Sequence, residues 1–307
     1  MSKSLSDCVV EARGLQKHFG KVHALNGLDL TVTQGQVHGF LGPNGSGKST
    51  TIRALLGQIR LDSGFIKVFG QDAWTDAVSI HRRLAYVPGD TMLWPGLTGG
   101  QCIDLLGGFH GSLNQRRRDQ LVERFELDPS RRFRTYSKGN RQKVALVAAL
   151  ACDVELMVLD EPTSGLDPLM ESVFQKVVAE LAEAGTSVLL SSHILAEVEA
   201  LCDAVTVVRE GQLALSGTLE ELRSSATTAV DVVTPEAVTA LAAMAGVSRL
   251  ELREDPRGIR TTLLVTSTAL PTVLKAVSAA QPLEVAVHPP SLEQLFLERY
   301  SQDGGEV

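Results

Sequence analysis

One glycine-rich stretch constrains what this chain can fold into. It fits the pattern G-x-x-x-x-G-K-[ST] and consists of Gly42, Pro43, Asn44, Gly45, Ser46, Gly47, Lys48, Ser49 and Thr50. A short apolar run, Val37 to Leu41, precedes it, and residues 51–56 follow with helical spacing. In this context the glycines let backbone N–H groups converge on phosphate oxygens, and the helix adds the positive end of its dipole. We therefore predict a nucleotide site, in which Lys48 reaches the β- and γ-phosphates and Ser49 holds Mg²⁺.

The composition is that of an ordinary globular chain of one large or two modest domains. The 307 residues carry a formal charge of -7, which argues against a protein that mainly coats nucleic acid. The four cysteines form no C-x-x-C pair, so reduced buried thiols are favoured over a metal or disulfide framework. No signal peptide is visible, and the longest apolar run, Val144 to Cys152, is too short to cross a bilayer. We expect a soluble, cytoplasmic chain.

A second apolar run ends in two acids, Asp160 and Glu161. An acidic pair at the end of a strand is usually only part of a turn. The upstream phosphate loop changes that interpretation, because a phosphate-loop protein uses a strand-end Asp for the Mg²⁺ shell. Asp160 is the candidate for that role, and Glu161 is placed to polarise a water for attack on the γ-phosphate.

Two isolated residues are candidates by position. His193 follows the predicted strand 186–192, and strand ends are where α/β sheets bind ligands, although a single His is more often structural. Phe19 lies ahead of the phosphate loop. It is either an aromatic that stacks on adenine or a residue of the core.

The chain is predicted to form two domains, residues 1–223 and 224–307, separated by a small polar linker. Within the first, leucines at helical spacing predict an inserted helical subdomain at about residues 90–150. Its basic pieces, Arg116–Arg118 and Arg131–Arg132, are interpreted as solvated helix faces rather than lipid contacts.

The second domain is predicted as βαββαβ, a ferredoxin-like pattern. Its helices are assigned to Pro235–Ala245 and Ala269–Ala279. Ser291 and Gln294 form a capping-box start for a last amphipathic helix that extends to Tyr300.

Together these motifs resemble the ATPases of ATP-binding cassette (ABC) transporters, over about Val9 to Leu222. The matching pieces are Walker A at Gly42–Thr50, Walker B at Leu156–Asp160 with Glu161, the signature at Tyr136–Gln142, the D-loop at Ser164–Asp167, the switch histidine His193 and the adenine-stacking Phe19. The resemblance implies an α/β P-loop NTPase fold of the RecA-like type that hydrolyses ATP with Mg²⁺. It also implies that Ser137, Gly139 and Asp167 contact the nucleotide.

The chain departs from the family pattern in two places. Its signature reads YSKGN instead of LSGGQ, which keeps Ser137 and Gly139 and adds Lys138, a charge that could lie near the γ-phosphate. Gly89 stands where most members carry a Gln that reaches a Mg²⁺-bound water. We expect Asp90 or a reshaped backbone to substitute for that side chain.

The resemblance also implies partners. Two copies are expected to close head to tail over two ATPs as a homodimer with two competent sites. A separate membrane-spanning permease subunit would hold this chain at the inner face of the membrane. Near the Gly89 turn, four apolar residues are candidates for that contact or, equally, for core packing: Met92, Leu93, Trp94 and Leu97.

The βαββαβ tail and the segment Pro290–Phe296 resemble the ATPases of ABC-2-type drug exporters of the daunorubicin-resistance type. Efflux of a drug or antibiotic is therefore the leading function. Alternatives are an ABC ATPase that serves an importer, or an exporter of lipid, polysaccharide or ion. A third alternative is an ABC ATPase that acts on ribosomes or DNA. Such proteins usually fuse two cassettes or carry coiled coils, whereas this chain has one cassette and no heptads, which disfavours this alternative.

Overall fold

The computed structural model describes residues 8–111, 113–224 and 227–289. The chain divides into two compact units, residues 1–216 and 217–307. The division precedes the predicted boundary after residue 223, because a short helix, Leu219–Ser224, groups with the second unit and precedes the polar segment taken as the linker.

The first unit contains both strands and helices. In chain order they are β1 Cys8–Phe19, β2 Val22–Thr33, β3 Val37–Leu41, α1 Lys48–Leu55, β4 Ser63–Val68, β5 Gln71–Asp72, α2 Ala77–His81, β6 Leu84–Val87, α3 Gly99–His110, α4 Gln115–Arg124, α5 Lys138–Leu150, β7 Leu156–Asp160, α6 Pro168–Glu183, β8 Ser187–Ser192, α7 Leu195–Leu201, β9 Ala204–Arg209 and β10 Gln212–Thr218. A 3-10 helix, Phe133–Thr135, precedes α5.

A six-stranded sheet in the order β10-β9-β3-β8-β7-β6 forms the centre of this unit. Strands β3, β7 and β8 are buried along their whole length, as expected of parallel strands covered on both faces. The parallel register places Leu41 opposite Ser192 and Asp160 opposite Ser191. The segments that follow β3, β7 and β8 therefore emerge at the same carboxyl edge, which confirms the predicted α/β fold and positions the site.

Helix α1 packs into the core that this sheet shares with a second one. The second sheet has the order β2-β1-β4-β5 and its pairs are antiparallel. Ile52 and Leu55 of α1 are buried in one cluster with Leu28 of β2 and Val158 of β7. The helix that begins at Lys48 is thus held by apolar contacts on both sides.

Helices α3, α4 and α5 occupy the region predicted as a helical subdomain. Thr98 and Gln101 form a capping box that starts α3. The arginines of α4 are not simply solvated. Arg118 pairs with Asp104 at 3.1 Å and Arg117 with Asp153 at 2.8 Å, and both arginines are half-buried.

In its described residues the second unit is an antiparallel sheet with two α-helices and one 3-10 helix, and its strands have the predicted ferredoxin-like order. Its elements are α8 Leu219–Ser224, β11 Thr227–Thr234, a 3-10 helix Thr239–Ala243, β12 Val247–Asp255, β13 Gly258–Thr266, α9 Leu270–Ala279 and β14 Glu284–His288. The strand order β12-β13-β11-β14 places the first and third strands of the βαββαβ pattern at the centre. Val230, Leu263 and Val273 belong to its buried core.

The prediction of an α-helix over Pro235–Ala245 was wrong. The structure has only the 3-10 helix Thr239–Ala243, whose N-cap position is occupied by Val238 and lacks a side-chain hydrogen bond. An apolar, β-branched cap leaves the first N–H groups unsatisfied, and 3-10 helices are short. The predicted helix from Ser291 to Tyr300 lies outside the described residues.

None of the four cysteines, all within the described ranges, forms a disulfide bond; Cys102, Cys152 and Cys202 are buried, whereas Cys8 is half-buried. In the ranges that the structure describes, no helix has the length and apolarity needed to cross a membrane.

Buried His38 gives the fold a pH dependence. It lies on β3, 3% exposed, with Nε2 2.9 Å from Thr206 Oγ1, and burial lowers the pKa of His38 to about 4. An unfolded chain with a His pKa of about 6.5 binds more protons between these values, so the free energy of unfolding falls as the pH drops through this window. From about pH 7.5 to about pH 5 we expect this residue alone to cost about 2 kcal/mol.

Urea unfolding at both pH values measures this loss. In a His38→Asn variant the acid-induced loss should be about 2 kcal/mol smaller, because nothing titrates at that position. The control, His23→Asn, replaces an exposed histidine and should retain the wild-type loss. An equal loss in all three proteins would contradict the assignment to His38.

Candidate nucleotide-binding and catalytic site

The glycine-rich loop between β3 and α1 is shaped as an anion cradle. Gly45 and Gly47 have φ of 81° and 110°, a region that glycine adopts at little cost. A Cβ at Gly42 would lie 2.4 Å from the Val208 carbonyl oxygen, so only glycine fits there. Helix α1 begins after Gly47 without a side-chain cap. Its first N–H groups are therefore available to an anion.

Lys48 is a buried cation inside this loop. It is 5% exposed, and Nζ donates to the Gly42 carbonyl oxygen at 2.6 Å and to that of Pro43 at 3.3 Å. Burial lowers the pKa of Lys48, while the nearby carboxylates of Glu161 and Asp160 oppose that shift. The structure thus brings Lys48 together with both predicted acids.

The other loop residues leave room for a polyphosphate. Ser46 Oγ is buried and has no hydrogen-bond partner within the described residues, which is unusual for a native hydroxyl. Asn44, Gly45 and Ser49 are exposed, and Thr50 is half-buried. An orphaned hydroxyl, uncapped N–H groups and an ammonium in one loop fit a bound phosphate chain.

Asp160 and Glu161 lie at the carboxyl end of β7. Asp160 is 8% exposed, and its Oδ1 accepts a hydrogen bond from Ser191 Oγ. Glu161 has a left-handed backbone with φ of 46°, and its N–H donates to the Ser191 carbonyl oxygen at 3.0 Å. A non-glycine residue in this conformation is strained, so the surrounding contacts must hold it there.

The oxygen atoms of Asp160 and Ser49 at this edge suit a Mg²⁺ ion that binds together with a nucleotide. Asp160 Oδ2 accepts no hydrogen bond from any described residue, and Ser49 is exposed on the first turn of α1. In the described ranges no cluster of three His, Cys, Asp or Glu residues could hold a metal by itself. Mg²⁺ that binds with a nucleotide needs only one or two protein oxygens beside phosphate and water.

His193 lies beside the acid pair. Its Nδ1 is 3.2 Å from Glu161 Oε1, and the side chain is exposed. Two residues that sequence reasoning missed fix this arrangement. Ser191 holds both acids from β8, and Glu197 of α7 accepts hydrogen bonds from Thr163 Oγ1 and Ser192 Oγ, both at 2.7 Å. A carboxylate four residues after a candidate histidine was the available signal for Glu197.

Phe19 does not belong to the core. Its side chain is 52% exposed at the end of β1, so the core-packing alternative is wrong for this residue. Lys17 Nζ lies 5.5 Å from the centre of the ring. The aromatic face is therefore available for stacking.

The signature residues contact the D-loop of their own chain. Ser137 caps α5 by accepting a hydrogen bond from the Asn140 N–H at 3.3 Å, and a Cβ at Gly139 would lie 2.4 Å from the Gly165 carbonyl oxygen. Lys138 Nζ donates to Ser164 Oγ at 3.0 Å. Asp167 caps α6, accepting from the Met170 N–H at 3.0 Å.

The backbone at Gly89 approaches the acid pair. A Cβ there would lie 3.2 Å from the Asp160 carbonyl oxygen and 3.7 Å from Glu161 Cβ. Asp90 is exposed, and its predicted contact with the metal stays a prediction. Of the apolar residues that follow, Met92 is 79% and Trp94 40% exposed, so core packing is wrong for these two, whereas Leu93 and Leu97 are half-buried.

This edge of the sheet therefore combines a phosphate cradle, a buried ammonium group, two carboxylates and an imidazole. Such a set can bind a nucleoside triphosphate through its charge, and Glu161 can orient a water molecule as a general base.

Comparisons with known proteins agree with this chemistry. The family described as ABC transporter matches residues 25–164. A curated relative, the daunorubicin resistance ATP-binding protein DrrA3 of Streptomyces coeruleorubidus, is 35% identical over 309 aligned positions, which cover 97% of this chain and 98% of the relative.

Two solved structures resemble about two thirds of this chain. An ATP-binding subunit of an ABC transporter is 30% identical with a TM-score of 0.66, covering 70% of this chain and 92% of that one. A dimeric bacterial ABC transporter cassette, MJ0796, shares the fold with a TM-score of 0.63 at 20% identity, covering 68% of this chain and 98% of that one.

Replacing Lys48 tests the cradle. In Lys48→Ala the Kd for ATP should rise roughly 10- to 100-fold, because charge-assisted hydrogen bonds to phosphate are lost. Isothermal titration calorimetry with ATP measures the change. Lys67→Ala, which removes an exposed lysine of β4, is the control and should bind as the wild type does. Native affinity in Lys48→Ala would sink the assignment of this loop.

Proposed function

The chain belongs to the ATP-binding proteins of the ABC transporter family and is an ATPase, and from that premise we propose that it powers efflux of a drug or antibiotic through a separate membrane subunit. The observation that carries this proposal is the similarity to the daunorubicin-resistance protein, which extends over both units of the chain. The ferredoxin-like strand order of the second unit agrees with the subfamily that the sequence motifs favour.

The geometry supports the roles that we propose at the ATP site. Lys48 and the loop from Gly42 to Thr50 bind the phosphates, and Phe19 stacks on the adenine. Ser49 and Asp160 hold Mg²⁺, which supplies positive charge to the phosphate oxygens when bound.

Glu161 orients the attacking water, and its position is supported by the strained backbone and the contact of its carboxylate with His193. His193 is exposed, so its imidazole can contact the γ-phosphate as well as Glu161.

We propose that two copies of this chain close over two ATP molecules. The contacts described for Ser137, Gly139 and Asp167 are with their own helices and with Gly165. Their proposed nucleotide contacts are therefore made to ATP bound by the second copy. A helix N-terminus such as that of α5, with no acid in its first turn, suits the γ-phosphate charge.

The membrane subunit is proposed to dock on the segment after Gly89. Met92 and Trp94 lie two positions apart and both expose apolar side chains there, and neighbouring exposed apolar side chains are the kind of surface that marks protein contact. Docking of this kind would place the chain at the cytoplasmic face of the membrane. Nucleic acid is not a proposed partner, since the chain carries a formal charge of -7.

The role of Glu161 is tested by Glu161→Gln. The amide keeps the size of the side chain but cannot accept a proton, so kcat for ATP hydrolysis should fall roughly 10²-fold or more while ATP binding is kept. A phosphate-release assay measures kcat. Glu183→Gln, an exposed position at the end of α6, should hydrolyse ATP normally. Activity of Glu161→Gln within about twofold of wild type would exclude the proposed role.

Drug export is tested with the membrane partner. We expect the tagged chain to co-purify with a membrane protein, and the complex in lipid vesicles to hydrolyse ATP about two- to tenfold faster when daunorubicin is added. Trp94→Ala should abolish that stimulation and leave ATP binding intact, whereas Trp74→Ala, the exposed tryptophan outside the segment, should not. ATPase activity indifferent to the drug but raised by a lipid or an imported solute would favour the alternative ABC functions.

A further inference from the structure

A buried glutamine links the proposed docking segment to the catalytic edge. Gln142 lies on the second turn of α5 and is 2% exposed. Its Oε1 accepts a hydrogen bond from Thr91 Oγ1 at 2.8 Å, and its Nε2 donates to the Pro162 carbonyl oxygen at 3.1 Å. Both ends of one amide are thus used, and both partners are buried.

The Thr91 end of this link belongs to the segment after Gly89. Thr91 is 6% exposed, and the next residue, Met92, is largely exposed. The same segment is tied to the turn before α5, because the Phe133 N–H donates to the Leu97 carbonyl oxygen at 2.8 Å. Because Thr91 directly precedes Met92, a displacement of Met92 or Trp94 by a docked protein would act on Thr91.

The Pro162 end lies one residue from Glu161. The backbone of Glu161 is left-handed, and the Ser191 carbonyl oxygen holds its N–H. On the other side of Pro162, Thr163 Oγ1 donates to Glu197. These hydrogen bonds are among those that fix the loop with the proposed catalytic carboxylate, and of the three the bond to Gln142 is the one that leads toward the docking segment.

The glycine at position 89 explains why a connection through another residue matters. Gly89 has no side chain that could reach from its own segment into the site, although its backbone lies against Asp160. A side-chain connection between the segment and Glu161 must then come from another residue. Among the described contacts, Thr91 and Gln142 make it.

We propose that the pair Thr91–Gln142 is a positioning device for Glu161, which transmits the state of the segment Met92–Leu97 to the catalytic loop. The proposal rests on the role proposed for Glu161. Among the described contacts, neither residue touches Lys48, Asp160 or the Glu161 carboxylate, so their loss should change turnover and coupling rather than ATP affinity.

Trp94 provides a direct readout of the coupling. The chain has two tryptophans, so a Trp74→Phe background leaves Trp94 as the only indole. In that background we expect ATP with Mg²⁺ to change the emission of Trp94. Thr91→Val removes the hydroxyl and keeps the shape of the side chain, whereas Thr91→Ser keeps the hydroxyl and serves as the matched control.

In Thr91→Val and in Gln142→Leu, the emission change of Trp94 should fall to less than about a third, and kcat should fall about tenfold, the size expected from one buried hydrogen bond. The Kd for ATP should stay within about twofold, and Thr91→Ser should behave as the background protein does. The double variant should lose no more than either single one, because the two residues form one unit.

Three results would overturn the proposal. The first is an emission change of Trp94 in Thr91→Val and Gln142→Leu as large as in the background protein. The others are a double variant whose loss in kcat is the sum of the two single losses in activation free energy, and a Thr91→Ser variant as impaired as Thr91→Val. Thermal melting identifies any variant that fails to fold. In that case Thr91→Ala is compared with Thr91→Ser, because these two side chains differ only in the hydroxyl group. If Glu161→Gln retains full activity, the role of Glu161 fails. The response of Trp94 to ATP still reports on the link.

Discussion

The site depends on keeping a charged ammonium group out of water. A buried lysine tends to lose its proton, and burial lowers the pKa of Lys48 for that reason. Carbonyl oxygens of the loop accept its hydrogen bonds, and Asp160 and Glu161 supply negative charge from the carboxyl end of β7. A cation arranged in this way places positive charge inside the loop where an anionic ligand would bind. The loop glycines, the parallel sheet and the core around α1 are needed to hold that arrangement.

Much of the fold and of the ATP site was predictable, because its signals are local. The apolar run before Gly42, the glycines of the loop and the strand that ends at Asp160 each combine residue type with spacing, and parallel strands bring their ends to one edge. The ferredoxin-like order likewise follows from alternating short elements. The structure agrees with these predictions within a few residues at the ends of most strands.

What the sequence could not reveal are side-chain contacts between distant segments. Glu197 and Gln142 resemble ordinary helix residues until the fold places them against the loop that carries Glu161. Lys138 could add charge near a γ-phosphate, and that stays a prediction; its contact with Ser164 in the single chain was not foreseen. The α-helix predicted over residues 235–245 was wrong for a different reason. The N-cap residue there, Val238, makes no side-chain hydrogen bond, and only a 3-10 helix forms.

The left-handed turn at Glu161 has a consequence for comparing such sites. Side chains along an extended strand alternate between the two faces of the sheet, so consecutive acids normally diverge. Here the charges of both carboxylates oppose the lowering of the pKa of one lysine, Lys48. The left-handed backbone of Glu161 departs from the extended conformation that produces the alternation. Two consecutive acids at the end of a strand in another protein would therefore form a comparable centre only if the second acid also adopts a left-handed backbone.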